Sequence, residues 1–157
     1  MAALILVRDG NTDGLKSLLQ VDKSTIDAVD SDGNTALMIA SWTGKDECVD
    51  ALIQAGAKLN VTNNSKYSAL ILACRDGHGA VAKALLDAGA RHDLVSNIGY
   101  TALDYADQQE HTLIKKILVR HLMYRFTFLR STSYFFIMPL KPVRVVYQII
   151  SLLSLLL

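Results

Sequence analysis

Apolar residues return along this chain in a fixed frame. Leu37, Ile39 and Ala40 are followed by Gly44, then by Cys48, Val49, Leu52 and Ile53, then by Gly56-Ala57. The frame recurs 33 residues later as Leu70, Leu72 and Ala73, then Gly77, Val81, Leu85-Leu86 and Gly89-Ala90. It begins again with Leu103, Ala106, Ile114, Leu118 and Val119. A fixed period of this length is the mark of a solenoid of stacked supersecondary units. Within a unit, Cys48, Val49, Leu52 and Ile53 stand at i, i+1, i+4 and i+5, which is one buried face of a helix.

The frame predicts two short helices per unit. In residues 30–62, Thr35 starts the first helix and Gly44 stops it. The second runs from about Asp46 to Gln54, with Gly56 as its C-terminal cap. The polar cluster Asp30-Ser31-Asp32-Gly33 before the first helix reads as a turn. Residues 63–95 repeat the plan. Residues 96–122 begin it, but Glu110 replaces the inter-helix glycine and Leu122-Met123 replace the terminal Gly-Ala. Residues 2–29 form a degenerate first unit, in which Leu4, Val7, Leu15 and Leu19 lie one period before Leu37, Ala40, Cys48 and Leu52. Gly10-Asn11 breaks its first helix, Thr12 is the expected N-cap of its second, and Asp13 suits the positive helix end. Neither helix of residues 30–62 reaches the roughly 12–15 residues at which an isolated helix is even marginal in water. Stability must come from neighbouring units covering one another's apolar side chains, each contributing roughly 1.5–3 kcal/mol when fully buried.

The frame Gly-x-Thr-x-Leu…Ala…Gly…Leu-Leu…Gly-Ala resembles the ankyrin repeat, over about residues 2–122. The family's usual Thr-Pro-Leu-His reads here as Thr35-Ala36-Leu37-Met38, Ser68-Ala69-Leu70-Ile71 and Thr101-Ala102-Leu103-Asp104. Without proline the first helix loses a preset N1 angle. Without histidine a hydrogen bond to the Thr hydroxyl is lost. The resemblance implies an all-α solenoid of stacked helix-turn-helix units with short hairpin turns and a concave face. It also implies protein binding, through the turn tips and the exposed flank of the first helices. Carried onto this chain, those positions are Ser31, Asp32, Asn34, Trp42 and Thr43; then Asn64, Ser65, Tyr67, Arg75 and Asp76; then Asn97, Ile98, Tyr100, Asp107 and Gln108. The strongest candidates for contact with a partner are Asp32, Asn34, Trp42, Ser65, Tyr67, Arg75, Asp76, Tyr100 and Asp107. Trp42, Tyr67, Arg75 and Tyr100 fall outside the buried stripe, and Trp, Tyr and Arg are the residue types enriched at interface hot spots. Trp42 is the one tryptophan of the chain. It either meets a partner or leans over the neighbouring repeat.

Charge divides the chain. Residues 1–122 carry 12 Lys and Arg against 15 Asp and Glu, a net of −3. Residues 123–157 carry Arg125, Arg130, Lys141 and Arg144 and no acid, a net of +4. The division therefore falls between a repeat domain, 1–122, and a hydrophobic, basic tail, 123–157. The run Val145–Leu157 is apolar and free of charge, but its 13 residues span only about 20 Å as helix, short of the ~30 Å hydrocarbon core. Three readings of the tail stay open. It associates with a membrane through residues 134–157, it packs over the last repeat, or it is an alternative C-terminus joined after an interrupted array.

Candidate chemistry adds little. His78, His92, His111 and His121 are scattered, and the resemblance gives His78, after Gly77, a structural role. No Cys-x-x-Cys pair frames a zinc site. Asp76-Gly77-His78-Gly79 is not a phosphate loop, because it lacks the following Gly-Lys-Ser/Thr and lies between two helices. Glu110-His111 lacks a second His four residues on. Cys48 and Cys74 sit in apolar helical patterns and read as small buried residues in a reducing compartment. The acidic balance of the repeats argues against nucleic acid. The expectation is a non-enzymatic, monomeric, cytoplasmic binding module without cofactor or metal. The alternative is the same module held on the cytosolic face of a membrane by its tail.

Overall fold

A computed structural model describes residues 2–131, with side chains to Met123. Among the described residues there are eight helices: α1 (Ala2–Asp9), α2 (Thr12–Val21), α3 (Ala36–Thr43), α4 (Asp46–Ala55), α5 (Ala69–Arg75), α6 (Gly79–Asp87), α7 (Ala102–Gln108) and α8 (Thr112–Ser131). They pair in order as four units. The first helices lie side by side as α1, α3, α5 and α7, and the second helices α2, α4 and α6 lie side by side in another row. The repeats form one compact unit that ends at Leu118, within α8. Its core is the expected periodic set. Leu37, Val49, Leu52, Leu70, Val81, Leu85 and Leu118 are all fully buried. The architecture is an all-α repeat solenoid.

Each first helix from α3 onward is started by the same device. Thr35, Ser68 and Thr101 hold extended backbone, and their side-chain oxygens accept from the N–H of Met38, Ile71 and Asp104 at 3.2, 3.3 and 3.2 Å. That satisfies one of the orphan donors of a helix N-terminus. The residue three places after the cap then differs by unit. Met38 and Ile71 are buried and serve as core. Asp104 instead closes a capping box, its Oδ2 accepting from the Thr101 N–H at 2.9 Å and from the Thr101 hydroxyl at 2.7 Å. An aspartate thus supplies, in this one unit, a link to the hydroxyl of the cap.

The turns between units are held by a second periodic device. Asp30 Oδ1 accepts from the N–H of Asp32 and Asn34 at 3.0 and 2.9 Å. Asn63 Oδ1 accepts from Ser65 and Tyr67 at 3.1 and 2.9 Å, and Ser96 Oγ accepts from Tyr100 at 3.3 Å. Successive turns are then tied to one another. Asn64 N–H donates to the Asp32 carbonyl at 3.0 Å, Asn97 N–H to the Ser65 carbonyl at 3.1 Å, and Asn63 Nδ2 to Asn34 Oδ1 at 2.8 Å. Burial draws the Asp30 carboxyl upward, but the bonds from Asn34 and Asp32 and the charge of Arg8 outweigh it and hold the group below the usual carboxylate range. Asp30 therefore contributes stability above the unfolded carboxylate value that is lost as pH falls through its lower folded value.

Two boundaries differ from expectation. Asn11, not Thr12, caps α2, because the amide oxygen one residue earlier already reaches the Gly14 N–H at 2.8 Å. Thr12 is the first helical residue, with its hydroxyl 3.4 Å from Cys48 Sγ. At the other end, α8 continues past residue 122 to Ser131. Leu122 stands where Gly56 ends α4 in a left-handed cap, and a leucine offers no such stop. The tail beyond Ser131 lies outside the described residues. Cys48 and Cys74 are buried free thiols, and burial pushes Cys74 up to about 12.

The period also fixes which positions need a left-handed backbone. Gly33 and Gly99 have φ of 79° and 82°, and between them the equivalent place is filled by Lys66 at 61°. Gly44 and Gly77 have φ of 66° and 86°, and their successor is Glu110 at 57°. A side chain in this region costs about 1–2 kcal/mol, partly offset by the lower unfolded-state entropy of a non-glycine residue. Lys66→Gly and Glu110→Gly are each expected to raise the unfolding free energy by about 0.5–1 kcal/mol. Urea titration checks this as a higher midpoint at unchanged slope. A lower midpoint in both would contradict it.

Candidate interaction surface

The period that aligns the core also aligns what the core leaves outside. Trp42 and Arg75 are 33 residues apart, near the ends of the neighbouring helices α3 and α5. Their side chains meet: the Arg75 guanidinium carbon lies 5.9 Å from the centroid of the Trp42 ring. The same guanidinium lies 5.1 Å from the centroid of Tyr67, which follows the turn at Asn63. One cation is thus packed against two aromatic rings from two units, an arrangement that ring quadrupoles favour. Asp76 fixes its orientation. Arg75 Nε and Nη2 both donate to Asp76 Oδ2, at 3.0 and 2.8 Å. Burial pulls the Arg75 pKa down, but the bond to Asp76, its charge and the Tyr67 hydroxyl outweigh that and raise it above the ordinary value.

The patch continues into the fourth unit through a buried residue. Tyr105 makes edge-on contacts with Tyr67 and Tyr100, at centroid separations of 5.8 and 5.5 Å. Its hydroxyl is 3.2 Å from that of Tyr67 and donates to Ser96 Oγ at 3.1 Å. Burial pushes the Tyr105 phenol above its usual value. The chain of hydroxyls ties the turn at Ser96 to the turn that carries Tyr67. Tyr105 was not among the residues the sequence singled out, yet the period contains the signal. It stands one period after Leu72 and two after Ile39, both core positions. A tyrosine there must bury its ring and find a partner for its hydroxyl.

The nine candidate positions separate into two groups. Trp42, Tyr67, Arg75, Asp76 and Tyr100 converge on the patch. Trp42 is 49% exposed and Tyr100 38%, so both offer ring surface to solvent. Tyr67 and Arg75 are half-buried between them. Asp32, Asn34, Ser65 and Asp107 lie apart. Asp32 is exposed on its turn, and Asp107 is ion-paired with Lys115. Asn34 is half-buried with its side chain bonded to Asp30 and Asn63, and Ser65 is half-buried with its backbone N–H and carbonyl in the turn hydrogen bonds described above. Sequence position placed all nine at turn tips and helix flanks, but it could not separate side chains free to meet a partner from those already engaged.

The groove between α2 and α4 lacks this convergence. It has a volume of about 590 Å³ and is lined by Lys16, Gln20, Glu47, Asp50 and Gln54, a mixed set without an aromatic residue. Among the described residues, no three His, Cys, Asp or Glu side chains gather as a metal site requires.

A family model described as ankyrin repeats, three copies, matches residues 1–63 and 55–126. The chain belongs to the ankyrin repeat family. Ankyrin repeats are a protein–protein interaction module and generally non-catalytic. The chain is also similar to ankyrin repeat domain-containing protein 29 of Danio rerio, 44% identical over 54 residues, which is 34% of this chain and 18% of that protein. The Homo sapiens protein of the same name is 40% identical over 60 residues, 38% of this chain and 20% of its own length. The chain thus spans about a fifth of the length of these curated relatives.

The network makes one residue test. Tyr105→Phe keeps the ring contacts but removes the hydroxyl that joins Tyr67 and Ser96. Leaving the buried Ser96 hydroxyl without this partner is expected to cost about 1–2 kcal/mol, read from urea denaturation. Unchanged stability would show that the hydroxyl chain contributes nothing to the stack.

Proposed function

We propose that the chain is a non-enzymatic adaptor that binds a protein partner on the concave side of its repeats. Trp42, Tyr67, Arg75 and Tyr100 form the centre of contact, and Asp76 orients the cation. The observation that carries this reading is the Arg75 guanidinium held between Trp42 and Tyr67 on the solvent side of α3 and α5. Ordering of that side chain is already achieved in the free protein, so a partner meets a rigid aromatic and cationic surface and loses less entropy on binding. The module acts as a monomer in the cytoplasm.

The test uses the full chain as bait in native lysate beside Trp42→Ala, Tyr67→Ala and Arg75→Ala. Truncation of a hot spot costs about 2 kcal/mol or more, so retention of the specific partner is expected to fall by more than about tenfold in at least one variant. Retention of every partner by all three would overturn the assignment.

The charge-free apolar run Val145–Leu157 favours a second reading, in which the module is attached to the cytosolic face of a membrane. No helix of the described residues is long and apolar enough to cross a membrane. Carbonate extraction of the full chain against a 1–122 truncation separates the two readings. Full-length protein that stays with the membrane while the truncation is released supports attachment. Equal release of both removes it.

A further inference from the structure

The last carbonyls of a helix have no partner within it. In each first helix of this stack that has a following unit, one residue of that unit supplies the partner. Lys45 Nζ donates to the carbonyls of Val7 and Arg8 at the end of α1, at 2.6 and 2.8 Å. His78 Nε2 lies 2.9 Å from the Trp42 carbonyl at the end of α3. His111 Nε2 lies 3.2 Å from the Arg75 carbonyl at the end of α5. Lys45, His78 and His111 are spaced by the 33-residue period and all directly precede the second helix or its first residue. A carbonyl only accepts, so each ring presents Nε2–H. The rings also need room. A Cβ added to Gly44 would sit 2.4 Å from His78 Nδ1, and one added to Gly77 would sit 3.0 Å from His111 Cε1.

The two carbonyls taken by histidine belong to Trp42 and Arg75, the residues whose side chains form the centre of the aromatic patch. We infer that His78 and His111 are positioning residues for this surface. Each fixes the last turn of the preceding unit's first helix, and through it the direction in which the Trp42 or Arg75 side chain leaves the backbone. The surface is therefore set by the unit behind it as well as by the unit that carries it. That this positioning serves recognition rests on the docking reading given above. The positioning itself does not depend on any partner.

Trp42 is the single tryptophan of the chain, so its fluorescence reports this site alone. The experiment compares the full chain with His78→Ala and His78→Lys under native conditions, with far-UV circular dichroism to verify that the helices persist. The probes are Trp42 emission and its quenching by acrylamide. His78→Ala is expected to shift the emission to the red and to raise the quenching constant at unchanged helix content. His78→Lys is expected to restore both, because Lys45 makes the same reach in the preceding interface. A general structural role for His78 does not predict rescue by lysine at the tryptophan. Unchanged emission and quenching in His78→Ala would overturn the inference. So would a folded His78→Lys whose Trp42 differs from wild type, and this second outcome remains decisive if the alanine variant does not fold. No partner enters the readout, so loss of the docking assignment in the lysate test would leave this result standing, and the reverse.

Discussion

No unit of this chain can bury its own apolar face. The helices α1 to α7 run seven to ten residues, below the length at which an isolated helix holds together in water. Leu37, Leu52, Leu70 and Leu85 reach near-zero exposure only because the adjacent unit lies against them. Everything else in the fold follows from this demand for neighbours. The caps at Thr35, Ser68 and Thr101 start helices that are too short to start themselves. The turn bonds at Asp30, Asn63 and Ser96 set the spacing at which the next unit arrives. The cross-turn bonds from Asn64 and Asn97 keep that spacing in register. In such an array stability is a sum of weak units and strong interfaces, and the interfaces dominate here.

The same demand shapes the candidate surface. Stacking at a constant period brings equivalent positions of successive units side by side. Trp42 and Arg75 are such equivalents, and Tyr67 and Tyr100 share another position. A residue that is solitary in sequence thus becomes part of a row. The row mixes ring, guanidinium and carboxylate, and the Arg75–Asp76 pair and the Tyr67 hydroxyl already have partners inside the protein. Arg75 donates from two of its guanidinium nitrogens to Asp76, and its guanidinium carbon lies 5.9 and 5.1 Å from the centroids of two rings. This surface is preorganised in the sense that its geometry is paid for by the fold rather than by binding.

The period made the architecture legible from sequence. Apolar spacing located each helix pair, glycine located the helix ends, and Thr or Ser located three of the caps. What was not legible depended on choices between chemically similar neighbours. Asn11 and Thr12 are both good caps, and only backbone geometry decides that Asn11 reaches Gly14. Asn34 and Asp32 share a turn, yet Asn34 is held by Asp30 and Asn63 while Asp32 is exposed. Tyr105 carries two signals at once, a core position and a polar tip, and only the fold shows that the tip meets Ser96 and Tyr67. His78 was legible as a structural residue through the family resemblance, but neither it nor His111 was legible as a partner of Trp42 or Arg75, because each contact joins residues 36 apart through a backbone carbonyl. Lys66 and Glu110 show the reverse case, in which the period demanded glycine and the chain supplied a strained substitute.

The claim that holds this account together is that the folded state resides in the interfaces between units. The direct measurement is far-UV circular dichroism of residues 30–62 as an isolated segment, followed through a thermal melt beside the full chain. The account predicts little helix and no cooperative transition in the segment, with a single cooperative loss of helix in the full chain. A segment that shows native helix content and melts cooperatively would contradict it.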